Sequence, residues 1–147
     1  MISQNRAMTT AARWSQHPRI LRWILNVYPP YLGAGIRVDF MAPDYREIRV
    51  SMRLRRFNRN YFGTHFGGSL YAMTDPFYAL MVFENLGPGY VVWDRHAAID
   101  FVRPGRGRVT AVFTLNDAQL DDLIAQTAAG ERYLPEFVVD VCDEAGE

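Results

Sequence analysis

Between Asn60 and Phe83 the chain carries one formally charged side chain, Asp75, and its neighbours decide what chemistry it can do. The stretch reads Asn60-Tyr-Phe-Gly63-Thr-His65-Phe66-Gly67-Gly68-Ser-Leu-Tyr-Ala-Met-Thr-Asp75, then Pro-Phe-Tyr-Ala-Leu-Met-Val-Phe83. From Leu70 to Phe83 only Thr74, Asp75 and Pro76 interrupt a run of apolar, alanine and tyrosine residues. A helix apolar on every side is expected to be buried, and a lone carboxylate near its start is costly unless compensated. Enclosed acids of this kind concentrate where reactions occur.

Hydrolysis of an activated acyl group needs a base or nucleophile, a donor for the developing oxyanion and exclusion of bulk water. Asp75 is the candidate base or nucleophile. A helix start at Gly67-Gly68 offers unpaired N–H groups and a partial positive charge. Two glycines there let a carbonyl approach the backbone closely, and such preorganised donors are worth roughly 3–4 kcal/mol each. Asp75 lies two turns further along, about 10 Å from those donors on an ideal helix. A second copy must then supply the other half of the site. Each residue also has a plainer role: Asp75 could anchor a neighbouring loop, and Gly67-Gly68 could serve only close packing. His65 reads more readily as a hydrogen-bonded loop residue than as a catalyst. No His/Asp/Glu cluster has metal-ligand spacing, so no metal is expected.

Composition narrows the setting. The chain has 147 residues, suited to one domain over 1–147 with its own core. Sixteen basic and sixteen acidic residues cancel, which gives no bulk attraction to nucleic acid or anionic membrane. Cys142 stands alone, excluding an internal disulfide framework or a thiolate metal site. No cleavable leader pattern opens the chain, so a cytoplasmic protein is expected. The central apolar segment does not read as a membrane span. Asp75 and Pro76 sit in its middle, and its purely apolar part falls short of the roughly 20 residues required.

The elements that must position Asp75 follow from periodicity. Residues 1–33 read as a loose tail (Met1 to Thr9) and an amphipathic helix with Trp14, Leu21, Ile24, Leu25 and Tyr28 on one side. Pro18 divides that helix, and Pro29-Pro30 with Gly33 and Gly35 end it. Packing across a sheet edge or mouth is its expected role. The core, 36–143, begins with a hairpin: Ile36, Val38 and Phe40 alternate with Arg37 and Asp39, then Ile48, Val50, Met52 and Leu54 with Glu47, Arg49, Ser51 and Arg53. An exposed basic loop, Arg55 to Asn60, leads into the central helix at about 66–86, which stops at Gly87-Pro88-Gly89. A third strand places Val91, Trp93, Ala97, Ile99 and Phe101 opposite Asp94, His96 and Asp100. A fourth carries Val109, Ala111, Phe113 and Leu115. Asp117 is expected to cap a short helix, Ala118 to Ala129. The last strand sets Tyr133, Phe137, Val139 and Val141 against Glu136 and Asp140. No internal repeat or low-complexity segment appears. The fold class is thus α+β, an antiparallel sheet of about five strands curled around a long central helix, with an added N-terminal helix. An open sheet edge favours pairing with a second copy.

This order of elements, with Asn60-x-x-Gly63, Gly67-Gly68 and Asp75 at their spacing, resembles the hotdog-fold acyl-CoA thioesterases. The likeness runs from about Ile36 to Val141 and is strongest to the phenylacetate-pathway and 4-hydroxybenzoyl-CoA-type branches. The N-terminal helix resembles an addition in a poorly characterised subgroup. The resemblance implies that Asp75 is nucleophile or general base, that the Gly67 N–H polarises the thioester carbonyl and that Asn60 orients water or substrate. Gly68, His65 and Phe66 would adjoin the substrate. Phe66 stands where the family has a histidine before Gly-Gly. Asp94, with His96 two residues on, falls where the family has Ser or Thr, and Pro76 directly follows the acid. Proline cannot donate to the Ala72 carbonyl and disfavours helical geometry at Asp75. Arginines in turns, Arg103 and Arg106 among them, suit coenzyme A phosphates. The implied partners are an acyl-CoA or acyl-carrier thioester and a second copy, as homodimer or dimer of dimers. No cofactor is implied beyond the coenzyme A moiety of the substrate. The alternative is a hotdog protein that binds acyl-CoA or a lipid ligand without hydrolysing it.

Overall fold

A computed structural model describes residues 17–146 of the chain. A four-stranded antiparallel sheet runs in the order β1 (Ile36–Met41), β2 (Glu47–Arg53), β3 (Arg108–Thr114), β4 (Val141–Cys142). Period-two alternation puts Ile48, Val50 and Met52 of β2 on the inner face, directly opposite Phe113, Ala111 and Val109 of β3. Large and small side chains therefore meet across the ladder, and all six are buried.

In β1 the expected alternation fails at one point. Val38 pairs with Val50, but Phe40 pairs with Arg49, so Asp39 is an inserted residue. The bulge turns Phe40 outward, where the Arg49 guanidinium lies 5.3 Å from its ring centroid, and Met41 takes the inner position. Two of the oxygens at the bulge are engaged by arginines. Arg22 donates to the Asp39 carbonyl at 2.9 Å, and Arg108 bonds the Asp39 carboxylate at 2.8 Å.

Helix α1 (Pro18–Val27) supplies Arg22 and begins with proline, whose missing N–H costs nothing in a first turn. Asn26 of α1 donates to the Val38 carbonyl and accepts from the Val38 N–H, so one side chain stands in for a neighbouring strand. The helix thus covers the outer edge of the sheet. Pro29 and Pro30, expected only to stop α1, also start a second short helix, α2 (Pro29–Ala34). It ends at Gly35 with φ 77°. A Cβ there would lie 2.6 Å from the Asn58 side chain, so glycine is required twice over. Trp14 and the expected start of the helix, with the tail before it, lie outside the described residues.

The central helix is two helices. α3 (Gly67–Ala72) and α4 (Phe77–Leu86) are separated by the turn Met73 to Pro76. The N–H groups of Thr74 and Asp75 both return to the Tyr71 carbonyl, and α4 starts with Leu80 bonding to the Pro76 carbonyl. Pro76 has no hydrogen to offer Ala72, which is why the ladder breaks there. Leu70, Met73, Phe77, Met81 and Val82 face the sheet and are buried. The opposite side is only partly covered, so burial on every side does not hold for this chain by itself.

Two expected strands also differ. Residues 91–101 form no ladder; Val92 and Ile99, rather than Trp93 and Phe101, pack on the core. The last strand pairs only at Val141–Cys142, although Tyr133, Phe137 and Val139 do turn inward. Tyr78 stacks on Phe137 with ring centroids 4.5 Å apart, joining α4 to this segment. Helix α5 (Asp117–Thr127) is capped by Asn116, not Asp117, in a reciprocal box with Gln119.

Asn58, expected in an exposed loop, is buried and holds three elements together. It donates to the carbonyls of Ala34 and Arg53 and accepts from the Arg55 N–H. Replacing it with alanine strands these buried groups, and Asn58→Ala is expected to lose roughly 2–3 kcal/mol in urea unfolding. An unchanged midpoint would contradict that role.

Candidate active site

The loop before α3 is built around Asn60. Its amide nitrogen donates to Thr64 Oγ1 (2.9 Å) and the His65 carbonyl (3.1 Å), and its oxygen accepts from the N–H groups of Phe62 and Thr64. Both amide donors and the acceptor are therefore committed to the loop itself. Asn60 shapes the entry to α3, leaving no spare donor to orient water or substrate.

His65 is buried and belongs to the same framework. Its Nε2–H donates to the Gly107 carbonyl at 3.1 Å, and its backbone N–H to Gly105. Gly105 packs closely on the same ring: a Cβ there would stand 3.3 Å from the imidazole, a tight contact. Burial lowers the proton affinity of His65 below the usual histidine range, with the Gly107 bond opposing it. The residue is a latch between two loops, and its Nδ1 has no hydrogen-bond partner among the described residues.

Gly67 and Gly68 open α3 against aromatic rings. A Cβ on Gly67 would come within 2.9 Å of the Phe101 ring, and one on Gly68 within 2.5 Å of Phe66. Phe66, at the position of the family histidine, is the N-cap and folds its ring over Gly68. The first turn of a helix leaves its leading N–H groups without intrahelical acceptors. Beside this turn lies a cavity of about 270 Å³ lined by Gly33, Ala34, Phe57, Asn58, Arg59, Phe66 and Ser69. Asp75 does not line it.

Asp75 stands in the turn between α3 and α4 and is exposed on this chain, contrary to the expectation of an enclosed acid. The proline break is the physical reason. It swings the carboxylate out of the apolar layer while Met73 and Phe77, two residues either side, are completely buried. Asp75 still acts on a group of neighbours. Its charge, partial desolvation and a hydrogen bond to its carboxylate raise the Tyr71 phenol, with Asp94 a smaller contributor. Desolvation first, and then the Asp75 charge, raise the Asp94 carboxyl above its usual value. Asp94 and Asp75, 19 residues apart in sequence, thus share one electrostatic environment. In the loop before α3, Tyr61 is 97% and Phe62 80% exposed, and Val102 beyond the 91–101 segment is 93% exposed.

The remaining predicted residues lie apart from this group. His96 is exposed, with no resolved interaction with Asp75. Arg103 pairs with Asp143 at 3.5 Å, and Arg106 is exposed in the same turn. Tyr31 is the residue that sequence reasoning missed. It is buried in α2, its ring lies 6.4 Å from that of Phe77, and Asp75 contributes to the rise in its phenol's proton affinity. No spacing rule links it to Asp75, because α2 reaches the site only through tertiary packing.

An antiparallel sheet wrapped on one face around a central helix is the hotdog class of fold. The family described as "Domain of unknown function (DUF4442)" matches residues 17–147, and the chain belongs to it. No curated protein matches the sequence. The solved structure of PA5026 from Pseudomonas aeruginosa, described as a protein of unknown function and probable thioesterase, is similar at 17% identity and a TM-score of 0.68. That likeness covers 90% of each chain. The thioesterase HI1161 from Haemophilus influenzae is similar at 18% identity and TM-score 0.61, over 88% of this chain and 81% of its own. OLEI01261 from Chlorobaculum tepidum, of unknown function, shares 15% identity over 78% of this chain and 74% of its own, at TM-score 0.55. These likenesses establish the fold.

Coupling between the two carboxylates has a measurable sign. Removing the Asp75 charge in Asp75→Asn takes away one of the two causes that hold Asp94 high, so the Asp94 midpoint is expected to move to lower pH. Carboxyl ¹³C NMR titration of both proteins measures this. An Asp94 midpoint that stays in place would contradict the proximity of the two acids.

Proposed function

We propose that this protein hydrolyses acyl thioesters, with Asp75 as general base or nucleophile. The observation that carries the reading is the placement of an exposed Asp75 at the helix break, coupled to Asp94 and Tyr71. As general base, Asp75 takes a proton from water, and the water oxygen attacks the thioester carbonyl carbon. The C–S bond then breaks, and the departing thiolate recovers that proton. The leading N–H groups of α3 at Gly67 are the oxyanion donors in this scheme. The thioesterase descriptions of PA5026 and HI1161 agree with it.

Asp75 and Gly67 are separated along the same broken helix, and Asp75 is open in one chain. A second copy seated on the face that exposes Tyr61, Phe62, Phe66, Tyr71 and Phe101 would enclose the acid and bring a partner's α3 start toward it. The unladdered 91–101 segment beside that face is a candidate for pairing across the seam. Solvent-facing Arg55, Arg56, Arg59 and Arg106 suit the phosphates of a coenzyme A thioester, with an acyl-carrier thioester the other carrier. No described helix is long and apolar enough to cross a membrane.

One observation favours a second reading, a hotdog protein that binds an acyl ligand without turnover: the amide of Asn60 is fully engaged in its own loop. Thiol release from straight-chain and aromatic acyl-CoA substrates separates the two. Asp75→Asn is expected to lower kcat/KM about 10²–10⁴-fold while leaving the circular dichroism unchanged. Saturable acyl-CoA binding without thiol release by the unaltered protein would favour the binding module, and turnover unchanged in Asp75→Asn would remove Asp75 from the chemistry.

A further inference from the structure

Zero net charge hides a segregation of charge along the chain. Residues 17–60 hold nine arginines against three acids, whereas residues 61–147 hold five against thirteen. The basic part begins with α1 and α2, which contain Arg19 and Arg22 and no acid. Arg22 turns inward to the Asp39 carbonyl, beside Asn26, which bonds both backbone groups of Val38. These bonds fix which side of α1 faces the sheet, with Leu21 and Leu25 packed on the core. The other side carries Ile20, Trp23 and Val27, whose i, i+3, i+7 spacing makes one stripe with Arg19 at its margin. All four are exposed, Trp23 by 65%. Tyr28, the single residue between the two helices, and Leu32, one turn on, are also exposed and continue the bare apolar surface.

We propose that this face docks on a bilayer containing anionic phospholipids. A helix with an apolar outer stripe, an indole within it, arginine at its margin and no acid has the make-up of one that lies in the membrane interface rather than across it. Tryptophan and tyrosine settle at headgroup level, with the ring toward the acyl boundary and the N–H or O–H toward water. Charge complementarity selects the lipid. Asn58 ties the end of α2 to Arg53 and Arg55, so the exposed side chains of Arg53, Arg55 and Arg56 add to Arg19 on this part of the molecule. Asp39, the first acid after α1, is already bridged by Arg37 and Arg108. A second copy seated face to face would set the same basic surface against itself, with no acid on either pair of helices to compensate. The inference is independent of the thioesterase reading.

The test is cosedimentation of the full chain with vesicles of phosphatidylcholine alone and of phosphatidylcholine with phosphatidylglycerol at about two to one. Binding to the anionic vesicles is expected to exceed that to the neutral ones by about tenfold or more, and to weaken as salt rises. Trp23→Ser and Arg19→Glu are each expected to lower binding to the anionic vesicles about tenfold, with circular dichroism unchanged. Should one variant fail to fold, the other decides. No binding, equal binding to both vesicle types, or unchanged binding by a folded variant would overturn the proposal. A smaller particle mass for Trp23→Ser without lipid would also overturn it, by assigning the face to a second copy. None of these outcomes bears on thiol release, which tests the thioesterase reading separately.

Discussion

Proline at position 76 is the constraint from which the rest of the site follows. A helix as apolar as Leu70 to Phe83 would draw any residue within it into the core, and an unpaired carboxylate there would be heavily penalised. Pro76 cannot satisfy the Ala72 carbonyl, so the helix opens for one turn. Asp75 emerges in that turn, while Met73 and Phe77 remain fully buried against the sheet. One residue type therefore reconciles a continuous hydrophobic layer with an accessible acid. The acid is held by rigid structure on both sides rather than by a free loop.

The N-terminal elements extend that rigidity to a second side of the site. Asn26 and Arg22 of α1 satisfy the outer edge of β1 at its bulge, replacing a missing strand with side-chain hydrogen bonds. The chain then turns through Pro29-Pro30 into α2, which Asn58 pins from the far end of the hairpin. Tyr31 enters the core from this small helix and meets Phe77 just below the break. The bulge, the proline pair and a buried asparagine together bring Tyr31 against Phe77, the first residue of α4.

Local periodicity made much of this legible from sequence. Alternation in β2 and β3 is a property of each strand alone, and the Ile48 to Met52 and Val109 to Phe113 faces are as read. The resemblance to the hotdog family carried the order of elements and the acid on the helix. The bulge at Asp39 was not legible, because it is defined by the partner strand and by Arg22 and Arg108 reaching it. Asn58 reads as a polar loop residue until the Ala34 and Arg53 carbonyls are placed around it. Pro76 signalled a kink, but its consequence, an acid exposed on the single chain, depends on which side of the helix the sheet covers. Tyr31 gave no signal, since its environment is wholly tertiary.

An open carboxylate is a poor hydrolytic site until water is excluded and an oxyanion donor brought near. The mass of the active particle is therefore the most direct test of the central claim, that a second copy completes the site at Asp75. Sedimentation equilibrium should give two chains, or four as a dimer of dimers, in units of 16.9 kDa, at concentrations where thiol release is measured. A single-chain particle with undiminished turnover would contradict it.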